Sequence, residues 1–157
     1  MLVVRKFLVI ADDTPEFRSA LSYAAARARV TGGMVSLLRV LPPTDFSQWA
    51  GVRDEIEREQ REEAETLLSG LSDAAAVKSG RPAEIIIRTG HIKDALRDVL
   101  AADPEIKIIV IGASGSHPGP LVNLLVREGV GTLGGTRPVP VTVVPGDLSD
   151  EAIEELM

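Results

Sequence analysis

Five short apolar runs, each followed by a stretch of a different period, constrain this chain more than any other feature. Phe7–Ala11 (FLVIA), Met34–Leu41 (MVSLLRVL), Glu84–Gly90 (EIIIRTG), Ile106–Gly112 (IKIIVIG) and Val139–Gly146 (VPVTVVPG) are near-continuous where a half-exposed strand would alternate. That pattern marks strands buried on both faces, as in a parallel sheet. The segments between them repeat at helical spacing. Phe17, Leu21, Ala24 and Ala28 form one stripe, closed by Gly32-Gly33, and Ile92, Ala95, Leu96, Val99 and Leu100 form another. Thr14-Pro15 predicts an N-cap residue and a first-turn proline for the first helix. From Ser47 to about Leu71, Trp49, Val52, Ile56, Ala64, Leu67, Leu68 and Leu71 predict a long helix whose other face is charged and solvated. Strands separated by helices require right-handed crossovers and a sheet covered on both sides.

Composition narrows the class. At 157 residues and 45% apolar content the chain suits one domain with a real core. No membrane span or signal peptide is read from the N-terminal LVVRKFLVIADD, which Arg5 and Lys6 interrupt. With no cysteine there is no disulfide framework or thiolate chemistry, which fits a cytoplasmic protein. Two histidines, His91 and His117, are too few for a closed zinc site, and no metal site is expected. A net charge of −6 opposes binding to a nucleic-acid backbone. No G-x-S-x-G elbow accompanies the serines.

In an open α/β sheet, ligands bind beyond the carboxyl ends of the strands, where strand order reverses. Here those ends carry Ala11-Asp12-Asp13-Thr14, Val40-Leu41-Pro42 and Gly112-Ala113-Ser114-Gly115. Asp12 and Asp13 either bind Mg²⁺ or complement a helix dipole. Gly129 to Gly134 spells G-x-G-x-x-G but precedes a strand instead of following one, so it is chance. Its glycines, at roughly 1 kcal/mol each in a helix, predict that the fourth helix, from Gly119, ends near Glu128. The acidic end, LSDEAIEELM, predicts a short helix capped by Ser149, with Leu148 and Ile153 as a staple.

FLVIADDTPEFRSAL, VSLLRVL, RTGHIKDAL, IKIIVIGASG and RPVPVTVVPG, in this order, resemble the universal stress protein family over roughly residues 5 to 146. The resemblance implies a single domain over 5–146, with 147–157 as an acidic segment outside it. It implies a five-stranded parallel sheet of order 3-2-1-4-5. Some members of that family bind ATP or AMP and others bind none. In nucleotide-binding members an aspartate ends the first strand and a G-x2-G-x9-G-S/T motif follows the fourth. Asp12 matches the aspartate, and Gly112 and Gly115 match the opening glycines. The closing pair falls on Leu125-Val126, on Arg127-Glu128 or on Gly129-Val130, depending on the anchor; no register restores it. Two missing charge-assisted bonds, at about 1.5 to 3 kcal/mol each, would take a micromolar site out of useful range.

The expectation is therefore a small stress-associated regulatory binding protein with a degenerate ATP motif, and no enzyme. The alternative is an ATP or AMP sensor, with or without Mg²⁺, built from Asp12, Val40, Gly112, Gly115, Ser116 and Gly119. A flavodoxin-like enzyme or electron-transfer protein is a second alternative, weakened by an aromatic content of 3%. The expected partners are an undefined protein client and a second copy of the chain, with no nucleic acid and no membrane. The last strand, an edge without charge from Val139 to Val144, would pair with its two-fold mate through Val141, Thr142 and Val143. The opposing expectation has the acidic end folding over that edge.

Overall fold

A computed structural model describes residues 4–43, 50–115, 119–128 and 137–157. The expectations on Trp49, Ser116, His117 and the glycine run 129–135 lie outside these residues. The five apolar runs form β1 (Lys6–Ile10), β2 (Met34–Leu41), β3 (Glu84–Thr89), β4 (Ile106–Ala113) and β5 (Val141–Pro145). All pair in parallel, in the order β3-β2-β1-β4-β5. The helices are α1 (Phe17–Thr31), α2 (Ala50–Ser79), α3 (Ile92–Ala102), α4 (Gly119–Glu128) and α5 (Asp150–Glu155). Order reverses between β1 and its neighbours, because β2 and β3 are laid to one side and β4 and β5 to the other.

Alternation along each strand divides the core in two. Phe7, Val9, Val35, Leu37, Ile87, Val110 and Val144 face α1 and α2. Leu8, Ile10, Leu38, Ile86, Ile109 and Ile111 face the other way and pack with α3 residues Leu96, Val99 and Leu100 and with Leu125 of α4. Every side chain of β1 after Lys6 is buried, as a central parallel strand requires.

Three helix expectations change. The helix α1 begins at Phe17, not at Thr14-Pro15, because Thr14 is engaged locally: Asp12 Oδ1 accepts its backbone N–H at 3.1 Å and its hydroxyl at 2.6 Å. The aspartate thus closes the turn that threonine was expected to cap. Helix α2 runs past Leu71 to Ser79 because its buried stripe continues through Ser72 and Ala75. Ser72 is held there by exchanging hydrogen bonds with the backbone of Ala83, at 3.0 and 2.9 Å. Val52 and Leu67 stand off the stripe, at 48% and 44% exposure, so period alone over-assigned them to the core. At the chain's end, Ser149 caps α5 by accepting from the Ala152 N–H at 3.1 Å, as the sequence predicts. Yet α5 packs on α1, not over the β5 edge: Ile153 is buried, Arg29 pairs with Glu154 and Lys78 with Asp150, both at 2.7 Å.

At the amino ends of the strands, Lys6 bridges Glu84 at 2.8 Å and Asp103 at 2.7 Å, joining β1 to β3 and to the turn before β4. Burial alone would lower the Lys6 ammonium, but hydrogen bonds to Asp103 and Glu84 outweigh it and raise its pKa. Burial would likewise raise Asp103, and the Lys6 bond with the Glu105 N–H lowers it below the usual carboxylate range. Arg137 adds bonds to the carbonyls of Ile106 and Leu100.

At the opposite end the backbone of α1's entry meets β4 and β5 directly. A Cβ on Gly112 would collide with the Glu16 carbonyl, and one on Gly146 would meet the Glu16 side chain. The Gly146 N–H donates to Ala113 C=O at 2.8 Å, and Ser19 Oγ donates to Gly146 C=O at 2.8 Å. Gly115, by contrast, has open space around its missing side chain.

Two outcomes are expected. Replacing Lys6 with Met leaves Glu84 and Asp103 without their cation and lowers stability by about 2 kcal/mol near neutrality in urea titrations. A depressed Asp103 contributes above its unfolded pKa of about 4, and a raised Lys6 contributes below about 10.4, so the difference between wild type and variant is flat across that window. It shrinks as pH falls through the folded Asp103 pKa; a difference that grows on acidification contradicts the clamp. Gly112→Ala is expected to cost about 1 to 3 kcal/mol by overpacking, while Gly115→Ala stays within about 0.5 kcal/mol. Equal melting temperatures for both would contradict the close approach at Glu16.

Candidate functional site

The carboxyl ends of β1 and β2, with the turn from β3 into α3, enclose a cleft of about 540 Å³. This lies within the range of small-molecule sites, roughly 300 to 1,000 Å³. Its walls are mostly apolar: Ile10, Val40, Pro42, Pro43, Ile92 and Leu121 line it, with Asp12, Asp13, Thr14, Arg39 and His91 as the side chains that carry polar chemistry. Each comes from a strand end or from the turn after it, which is where a parallel sheet presents its ligand-facing groups.

Asp12 directs Oδ1 to the Thr14 turn, so its conformation is fixed without any ligand. It is half-buried beside the cleft. Arg39 sits in β2 on the α2 face of the sheet. Its Nη1 donates to the Ala11 carbonyl at 2.8 Å and lies 3.2 Å from Asp13 Oδ1. Its Nε is buried with no hydrogen-bond partner among the described residues. Asp13 is far more exposed, at 86% of its side chain against 20% for Arg39. His91 occupies the N-cap position of α3 in an extended conformation, and its side chain makes no capping bond. Among the described residues, no three His, Asp or Glu side chains converge to hold a metal ion.

The structure brings together only part of the set read from the sequence. Asp12 and Val40 line the cleft. Gly112 and Gly115 do not: the first lies under the Glu16 backbone, and the second is exposed on the loop beyond it. Gly119 opens α4 with φ of +84°, and its successors Pro120 and Leu121 reach the cleft wall. Ser116 lies outside the described residues. On the far side of the sheet, β5 is an edge; Val143 is 47% exposed and Val141 and Thr142 are partly so, while Val144 is buried. Sequence reading missed Arg39. Its signal was present: the single charged residue of the run MVSLLRVL, two residues from the strand's end.

A helix long and apolar enough to cross a membrane is absent among the described residues. Comparison with curated protein sequences gives no match. Solved structures give several. The universal stress protein UspA from Lactobacillus plantarum superposes with a TM-score of 0.71 at 20% identity, covering 92% of this chain and 99% of that one. A universal stress protein from Archaeoglobus fulgidus gives 0.63 at 20% identity, covering 90% and 94%. A universal stress protein solved in complex with cAMP gives 0.62 at 16% identity, covering 91% and 98%. The sequence model of the Universal stress protein family matches residues 4–145. With that match spanning nearly the whole chain and the sheet in the order 3-2-1-4-5, this protein belongs to the universal stress protein family.

Proposed function

We propose that this chain is a cytoplasmic regulatory binding protein, with no turnover of its own, whose ligand is a nucleoside or a compact nucleotide and not a triphosphate. The observation that carries this is the closure of the glycine loop's first position by Glu16. In the family resemblance that position opens the phosphate motif, and backbone N–H groups must crowd an anion there. Here Gly112 is used for packing, an acidic side chain runs between it and Gly146, and the closing glycine and hydroxyl are absent from the sequence. What remains is an apolar cleft with the Asp12 carboxylate at its edge, suited to a ring system with hydroxyl donors. That a structural relative was solved with cAMP, an adenine nucleotide without a triphosphate, supports the same ligand class.

We further propose a two-fold dimer through β5. Among the described residues no further strand pairs with either sheet edge, but β3 carries Glu84 and Arg88, whereas β5 carries no charge from Val141 to Val144. Charged side chains discourage edge pairing and their absence permits it. The position of α5 on α1 supports an open β5 edge.

Calorimetry is expected to give an ATP dissociation constant weaker than about 100 μM, or about 5.5 kcal/mol. Micromolar ATP binding would overturn the lost-cradle reading. Asp12→Ala should weaken adenosine about tenfold, the worth of one charge-assisted hydrogen bond, with unchanged far-ultraviolet circular dichroism. For the dimer, light scattering at tens of micromolar should give twice the chain mass, and Val143→Lys should halve it without unfolding the chain. A monomeric wild type refutes edge pairing.

A further inference from the structure

The cleft has a neighbour. Between the end of β2 and helix α2 lies a second cleft of about 500 Å³, lined by Leu41, Ala64, Leu67, Gln60 and Glu63. Asp13, Arg39 and Pro42 line both clefts, so the Arg39–Asp13 pair forms part of the partition between them. The two sides of that pair are unequal. Arg39 is mostly enclosed, anchored to the Ala11 carbonyl at 2.8 Å, and retains a buried Nε–H without an acceptor. Asp13 is almost fully solvated, and its two contacts, at 3.2 and 3.4 Å, are long for a charge-assisted fork. A solvated carboxylate held this loosely contributes little to stability and is easily exchanged. A guanidinium held in place by a backbone carbonyl, by contrast, is a prepared anion site with a replaceable counter-ion.

Resting on the reading of the first cleft as a nucleoside site, we infer that Arg39 is the residue that recognises the ligand's anionic group, which displaces Asp13 and points towards α2. The direction is the reverse of that implied by the family's glycine loop. Glu16 occupies the start of that loop, whereas Arg39 is the one guanidinium among the residues lining the nucleoside cleft. Charge also limits the size of the anion. Glu63 lines the second cleft, so each further phosphate laid across Arg39 advances towards a carboxylate. One phosphate gains the guanidinium and stops short of the repulsion; three do not. Arg39 therefore selects a monophosphate-sized anion and supplies part of the discrimination against ATP.

Adenosine and AMP are the probes, titrated calorimetrically into the full chain and into Asp13→Asn, Arg39→Met and Arg39→Lys. AMP is expected to bind about tenfold more tightly than adenosine to the wild type, as a net charge-assisted bond provides. Asp13→Asn removes the competing carboxylate and should widen that ratio. Arg39→Met should reduce that ratio to one, and Arg39→Lys should retain part of it. A wild type that binds both probes equally, or a preference that survives Arg39→Met, overturns the role of Arg39 and leaves the nucleoside cleft standing. Failure of adenosine and AMP alike to bind the wild type overturns the nucleoside reading and this inference with it. Thermal melts keep the variants interpretable: if Arg39→Met is unfolded, the Asp13→Asn ratio decides alone, since Asp13 is exposed and contributes no packing.

Discussion

Backbone meets backbone at Gly112 with no side chain between, and much of the molecule's carboxyl end depends on that approach. The Glu16 carbonyl sits where a Cβ of Gly112 would be, its side chain runs on to Gly146, and Ser19 reaches the Gly146 carbonyl from the next turn of α1. These contacts fix how α1 enters the core against β4 and β5. They also set the direction in which the loops after β1 and β4 leave the sheet. A glycine that the family resemblance gives to phosphate is here given to packing, which supports the proposal that the ligand lies on the other side of β1.

At the other end of the strands the organising contact is ionic. Lys6 holds one carboxylate from β3 and another from the turn before β4, across the central strand. Its charge persists because two partners more than offset desolvation. Between this clamp and the Gly112 junction the buried side chains of the described strands are apolar except Ser36, whose hydroxyl has no hydrogen-bond partner among the described residues. Such a core leaves functional variation to the strand ends, where Asp12, Arg39 and His91 gather.

All five strands and every described helix were legible from period, because a parallel sheet buried on both faces leaves continuous apolar runs, whereas the strand order came from the family resemblance alone. Helix ends were less legible. Thr14-Pro15 carries a correct starting signal, yet Asp12 takes Thr14 into a local turn, and no local rule weighs one capping residue against another two positions away. Val52 and Leu67 fit the helical period of α2 but face solvent, since period fixes a stripe's spacing and not which neighbours cover it. In the site, Asp12 and Val40 were readable as strand-end residues. The use of Gly112 was not, because a glycine needed for close packing and one needed for an anion look alike in sequence. Arg39 became visible only once β1 and β2 were adjacent and the Ala11 carbonyl stood beside its guanidinium.

The proposed ligand site lies on the β2 side of β1, away from the glycine loop. Amide chemical shifts of uniformly ¹⁵N-labelled protein titrated with adenosine test it most directly. The account predicts perturbations at Asp12, Val40, His91 and Ile92, with Gly112 and Gly115 unmoved. Shifts concentrated at Gly112 and Gly115, with the amides of Val40 and His91 unchanged, would contradict it.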